Sequence, residues 1–223
     1  MIVYGSSLSP YVRKVLVVAA EKGLDVELKS AGMGRGGPAF REASPFGKMP
    51  ALRDGDFTLA DSSAIVTYLD AQYPDPQLIP DSPRERARTI WFDELADTLM
   101  MAAGAAIFGN RFVRPRVLNQ PCDHAAADAA EQEDLPPIFD YLETQIPDGA
   151  FLVAERLTLA DIAVASPIAT LGCIGVGPDP IRHPRTREWA DAILARPSFA
   201  NIVANDRALV ATMGGPVTAQ AAE

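Results

Sequence analysis

Cysteine and histidine are scarce in this chain of 223 residues: Cys122, Cys173, His124 and His183 are all it has. Two unevenly placed thiols make no disulfide framework, and these four side chains have no zinc-site spacing, so no metal is expected. Basic residues are outnumbered, with 20 Lys and Arg against 29 Asp and Glu and a formal net charge of -9. That balance offers no footprint for a phosphate backbone, and no nucleic-acid partner is expected. Long hydrophobic runs are missing too. The most apolar stretch, Val15 to Ala20, falls far short of the roughly 20 residues that cross a bilayer. The start Met1-Ile2-Val3-Tyr4 carries no basic leader segment, so the expectation is a soluble cytoplasmic protein with no membrane contact.

What is present falls into two halves. Ile2-Val3-Tyr4 reads as a strand, and Val12, Val15, Leu16 and Ala19 recur at helical spacing up to Gly23. Val26-Glu27-Leu28 reads as a second strand, followed by an irregular stretch with a short helix near Pro38 to Ala43. Ala51-Leu52-Arg53 and Phe57-Thr58-Leu59 flank Asp54-Gly55, a hairpin signal, and Ser62 to Ala71 reads as a helix. The order β-α-β-α-β-β-α predicts a small mixed sheet with helices on its faces. Four prolines within residues 74–83 prevent regular structure and mark a linker. Beyond it, Trp91, Leu95, Leu99 and Ala102 start a run of helical patterns that continues through Ala125 to Leu135, Ile138 to Leu142, Leu159 to Leu171 and Arg187 to Ala195. Pro136-Pro137 should kink or restart one of them. From Gly214 the chain is small and polar and reads as a disordered tail.

Several short constellations carry chemistry. Ser9-Pro10 stands where the first strand gives way to the first helix, pairing a good N-cap with a residue preorganised for the first helical position. Orphan N–H groups and the positive dipole end meet there, a setting that stabilises an anion such as a thiolate. Equally, Ser9 could do no more than cap the helix. Asp61-Ser62-Ser63 opens another helix and offers N–H groups, hydroxyls and a carboxylate together, which suits an amino-acid-like ligand or plain capping. Ser44-Pro45-Phe46-Gly47-Lys48-Met49-Pro50 puts a proline at the start of a strand; a cis Met49-Pro50 bond would expose a strand edge to an extended peptide ligand. Gly47-Lys48 is no P-loop, because Glu42 and Met49 occupy positions that would need Gly and Ser or Thr. Gly32-Met33-Gly34-Arg35-Gly36-Gly37 spells a dinucleotide fingerprint but follows the second strand and runs into Pro38, so a mobile loop is the better reading. Thr158-Leu159-Ala160-Asp161 is a capping-box variant with a folding role. Met100, Met101, Phe108 and Phe112 read as core or as an adaptable apolar pocket. Arg111, Arg114 and Arg116 either line that pocket or are simply solvated.

Taken in order, Ser9-Pro10-Tyr11-Val12-Arg13-Lys14-Val15, Ser44 to Pro50, Asp61-Ser62-Ser63-Ala64-Ile65, Leu157 to Ile162 and Ala195-Arg196-Pro197-Ser198-Phe199 resemble the soluble, cytosolic-type glutathione S-transferase family in its serine-type, bacterial-like form. The resemblance implies a thioredoxin-like, glutathione-binding domain over residues 1–78, a linker at 79–84, an all-helical domain over 85–213 and a tail over 214–223. It implies that Ser9 activates the glutathione thiol, with Ser6 and Ser7 as neighbouring hydroxyls that could take its place. Met49 and the cis-proline Pro50 would pair with the cysteinyl part of glutathione, Asp61 and Ser62 would hold the γ-glutamyl end, and Lys48 would meet the glycine carboxylate. Asp61 is shorter than the Glu more often found there. Met100, Met101, Phe108 and Phe112 would form the pocket for a hydrophobic electrophile.

The implied activity is detoxifying transfer of glutathione, as co-substrate, to that electrophile by a homodimer. Glutathione-dependent isomerase, dehalogenase, ether-cleaving or peroxidase chemistry, or a silent glutathione-binding module, are the alternatives. Residues 1–80 contain no cysteine, which excludes a C-x-x-C oxidoreductase and disfavours branches that use a protein thiol at the helix start.

Overall fold

The computed structural model describes residues 1–32, 36–147 and 150–218. Its first part is a four-stranded sheet in the order β2-β1-β3-β4, formed by β1 (Ile2–Tyr4), β2 (Glu27–Lys29), β3 (Ala51–Asp54) and β4 (Phe57–Ala60). β2 runs parallel to β1, while β3 and β4 are antiparallel to their neighbours. The helices α1 (Pro10–Glu21), α2 (Pro38–Ala43) and α3 (Ser62–Gln72) complete the thioredoxin-like unit. Asp54 pairs with Phe57, so the hairpin loop is Gly55-Asp56, one residue later than the sequence signal suggested. Gly55 takes φ +62°, the left-handed first position that glycine serves. The Gly-rich segment brackets Met33, Gly34 and Arg35, which lie outside the described residues, so the reading of that loop does too.

The second part is helical: α4 (Pro83–Leu95), α5 (Met101–Phe108), α6 (His124–Ala129), α7 (Leu135–Gln145), α8 (Leu159–Gly172), α9 (Pro184–Leu194) and α10 (Pro197–Thr212). π-helical turns at Ala96–Met100, Gly109–Val117 and Ala130–Asp134 join or extend α4 to α7. Pro136 and Pro137 sit in the first turn of α7, where their missing N–H groups cost nothing, so the pair restarts a helix.

Burial explains the layering. α8 is buried on every side from Leu159 to Leu171, the signature of a helix at the centre of a core. Its start is fixed by Asp161, whose carboxylate accepts from Thr158 N at 2.9 Å, Leu152 N at 2.8 Å and Trp189 Nε1 at 3.3 Å. Burial pushes the Asp161 carboxyl upward against those donors. α1 lies between the sheet and α8, and one hydrophobic cluster runs through Val12, Val15, Leu52 and Leu69 into Ile162, Ile168 and Phe199.

The linker is pinned rather than slack. Asp70 accepts from Leu78 N at 2.9 Å and Ile79 N at 3.0 Å, and the Lys22 ammonium joins Asp70 to the carbonyls of Tyr73 and Pro76. Leu78 and Ile79 thereby enter the shared core. At the far end, Gly214 and Gly215 offer their carbonyls to Arg116 at 3.0 Å each, and Val217 N donates to Arg111 O at 2.7 Å. Residues 214–218 of the expected tail therefore run along the 109–117 turn; the last five lie outside the described residues. No helix among the described residues is long and apolar enough to cross a membrane.

Candidate active site

Strand register decides where the candidate residues meet. Tyr4 pairs with Lys29 and Ala51, and Ala51 pairs with Ala60, so these residues form one row at one end of the sheet. Gly5 to Ser9 leave the row after β1, Met49-Pro50 enter it before β3, and Asp61-Ser62 leave it after β4. Three segments far apart in sequence thus converge because the sheet is mixed. The Met49-Pro50 peptide is cis, and Pro50 O accepts from Asp61 N at 3.3 Å. Met49 is half-buried over Gly32, whose φ is +97° and where a Cβ would stand 2.5 Å from the Met49 sulfur.

Ser9 is the N-cap of α1 with φ −75° and ψ 124°, and its carbonyl accepts from Arg13 N at 2.9 Å. Its hydroxyl makes no capping hydrogen bond, so the plain capping reading does not hold for the side chain. The neighbouring serines differ. Ser7 donates its hydroxyl proton to Asp206 Oδ1 at 2.5 Å, and a hydroxyl has only one proton to give. Ser6 contributes its carbonyl, which accepts from Ser9 N at 2.9 Å.

Asp61 stands at φ 85°, a conformation that costs a non-glycine residue about 1–3 kcal/mol. Its Oδ1 accepts from Ser63 N at 3.0 Å and Ala64 N at 3.1 Å, and its side chain is exposed. Ser62 is buried in the first turn of α3, its Oγ 3.5 Å from Asp97 Oδ2. Lys48 is exposed and its carbonyl accepts from Ser44 Oγ at 2.6 Å.

Beneath this helix start lies a charge cluster that no sequence motif marks. The buried Lys14 ammonium sits 2.6 Å from Asp93 Oδ1, 2.7 Å from Asp97 Oδ2 and 3.1 Å from Ser63 Oγ. Ser63 Oγ in turn lies 2.7 Å from Asp93 Oδ2. Burial, outweighing Lys14, pushes the Asp97 carboxyl up. Tyr11 donates to Asp97 O at 2.9 Å; burial first, then Asp97 and Asp61, raises its phenol. Two carboxylates against one ammonium leave this group one negative charge in excess. Asp93 and Asp97, four residues apart at a helical spacing, were the available signal: like charges so placed repel unless a cation from elsewhere lies between them.

The apolar set needs a correction. Met100 and Phe112 are both 0% exposed and pack inside the core, so they do not line an open pocket. Phe108 is nearly buried, its ring centroid 5.1 Å from that of Phe112, while Met101 keeps accessible surface. The three arginines are structural: Arg111 binds Asp128 and Glu131, Arg114 the Pro121 carbonyl, and Arg116 the Gly214 and Gly215 carbonyls.

Family models agree with this geometry on both halves. Residues 3–77 match the glutathione S-transferase N-terminal domain and residues 96–197 match the C-terminal domain. The chain belongs to the glutathione S-transferase family. Among its relatives, Glutathione S-transferase 3 of Zea mays is 32% identical over 213 residues, covering 90% of this chain and 92% of that protein. GstB of Escherichia coli K12 is 31% identical over 206 residues, covering 90% and 96%. The crystal structure of a glutathione S-transferase from Rhodospirillum rubrum F11 superimposes with a TM-score of 0.82 at 27% identity, covering 90% of each chain.

Proposed function

We propose that the protein is a glutathione transferase that ionises the glutathione thiol beside Ser9 and directs it at a hydrophobic electrophile. The observation that carries this reading is the Ser9 hydroxyl, which stands at a helix N-terminus without serving as its cap. A free thiol of pKa about 8.5 is only a few per cent thiolate at neutral pH. Donors that favour the anion by about 2.7 kcal/mol lower that pKa by about two units. Ser9 acts here as a hydrogen-bond donor to sulfur and forms no covalent intermediate.

The remaining roles follow from what each group can offer. The extended main chain at Met49-Pro50 pairs with the cysteinyl unit of glutathione. Ser62, through its hydroxyl and main-chain N–H, receives the γ-glutamyl carboxylate, and Asp61, backed by the excess negative charge around Asp93 and Asp97, receives its ammonium. Lys48, exposed beside them, meets the glycine carboxylate. Met101 and the edge of Phe108 take the apolar part of the electrophile. As the sulfur–carbon bond forms, the electron pair of the breaking bond departs with the leaving group or settles on the acceptor. Reduced glutathione and the two unpaired cysteines suit the cytoplasm.

The assembly is a homodimer. Phe46 is 92% exposed in the loop before β3, and Trp91 and Leu99 on the α4 side are also exposed; a second copy of the chain is the occupant that would bury them. Turnover of a chlorodinitrobenzene with glutathione tests the reading. Conjugate formation is expected, with Ser9→Ala about twenty- to thirtyfold slower at neutral pH as the thiolate fraction falls; binding without turnover would reduce the protein to a glutathione-binding module.

A further inference from the structure

The turn that carries Ser9 is held from the helical domain. Asp206, 1% exposed in α10, spends one carboxylate oxygen on Ser7 Oγ at 2.5 Å and the other on Arg13 Nη2 at 2.7 Å. Arg13, 0% exposed in α1, gives Nη1 to Ser166 O and to Thr170 Oγ1 of α8, both at 2.6 Å. Thr170 Oγ1 is also 3.0 Å from Leu8 O. Residues 7 and 8 are therefore tied to α10 and α8, while Ser9 N closes the turn onto Ser6 O. Among the described residues Arg13 Nε finds no hydrogen-bond partner. A buried ion pair of this kind costs desolvation and yields little net stability, but it fixes geometry when each oxygen is used.

We propose that Ser7 and Asp206 are positioning residues for thiol activation: through them α10 sets where the Ser9 hydroxyl points. This rests on the reading of Ser9 above. Neither residue touches glutathione. Ser7 cannot give the sulfur a proton that it already gives to Asp206, so its effect on the thiol passes through the turn. A hydroxyl that wanders by even half an ångström loses much of its hold on an anion.

The test compares wild type with Ser7→Ala, Ser7→Thr and Ser9→Ala. Ser7→Ala leaves the Arg13–Asp206 pair in place, and Ser7→Thr keeps the hydroxyl. The readouts are the pKa of bound glutathione from thiolate ultraviolet absorbance, kcat and KM with a chlorodinitrobenzene, and the melting temperature. Expected for Ser7→Ala is a bound-thiol pKa about one unit higher and kcat near neutrality about threefold lower, with the glutathione KM within about twofold. Ser7→Thr should restore both. Thr170→Val loosens Leu8 from the opposite side and supplies the same reading, a raised pKa, should Ser7→Ala not fold. A wild-type thiol pKa in the loosened variants, alongside a raised one in Ser9→Ala, would overturn the positioning role while sparing that of Ser9; a lower melting temperature without a pKa change would do the same. An unchanged pKa in Ser9→Ala would overturn the underlying reading, and this inference with it.

Discussion

Lys14 of α1 and Asp97 of the turn after α4 stand 2.7 Å apart across the boundary between the two domains. With Asp93 at 2.6 Å on the same ammonium, this contact couples the base of the proposed glutathione site to the helical half.

Removing the cation should therefore be severe. Lys14→Met leaves the buried Asp93 and the partly buried Asp97 without a counter-charge, and a loss of about 3 kcal/mol in urea unfolding is expected. A loss below about 1 kcal/mol would mean that the cluster is solvated rather than buried.

Asp61 combines a cap with a left-handed backbone, and two substitutions separate those roles from binding. Asp61→Ala loses the cap and keeps the unfavourable φ, so it should cost about 1–2 kcal/mol. Asp61→Gly relieves the backbone and should cost only a few tenths. Both should raise the glutathione KM alike if the carboxylate meets the ligand; a KM that tracks stability instead would assign Asp61 to folding.

The far end of α1 supplies a pH signature. Glu21 is pushed up by burial but more strongly held down by hydrogen bonds from Arg196 and Ser198 and by the Arg196 charge, so its net shift is downward. A carboxyl lower in the folded state than in the unfolded one contributes stability above its unfolded pKa and loses it as pH falls through the folded one. Wild type should accordingly exceed Glu21→Gln in stability at neutral pH, and the gap should narrow as pH drops below about 4.5. Chemical denaturation across that range measures it, and a gap that stays constant would show that Glu21 titrates no differently on folding.

Phe46→Ser should convert the proposed dimer toward monomer in sedimentation velocity, with the thioredoxin-like core unchanged by circular dichroism. A wild-type chain that sediments as a monomer would leave Phe46 without a partner.

Much of this was legible in the sequence because it was written in periodicity and local chemistry. The β-α-β order, the prolines of the linker and the Thr158–Asp161 box each act over a few residues, and each has its counterpart in the structure. What escaped depends on contacts between distant segments. α10 drew no helix reading from periodicity, only from the family resemblance: its buried seam of Phe199, Val203, Asp206 and Val210 has a carboxylate in the middle, which breaks the apolar pattern unless Arg13 and Ser7 are known to face it. Met100 and Phe112 looked like pocket residues because an apolar side chain at helical spacing does not say whether it faces a cavity or another helix. Asp93, Asp97 and Lys14 gained meaning only when three helices met.

The proposed activity turns on a hydrogen bond from Ser9 to the glutathione sulfur. The most direct measurement is the thiolate absorbance of bound glutathione, titrated from about pH 5 to pH 9 in wild type and Ser9→Ala. Wild type should show a bound-thiol pKa about two units below 8.5, and Ser9→Ala a return close to 8.5 with glutathione still bound. Superimposable titrations for the two proteins would contradict it.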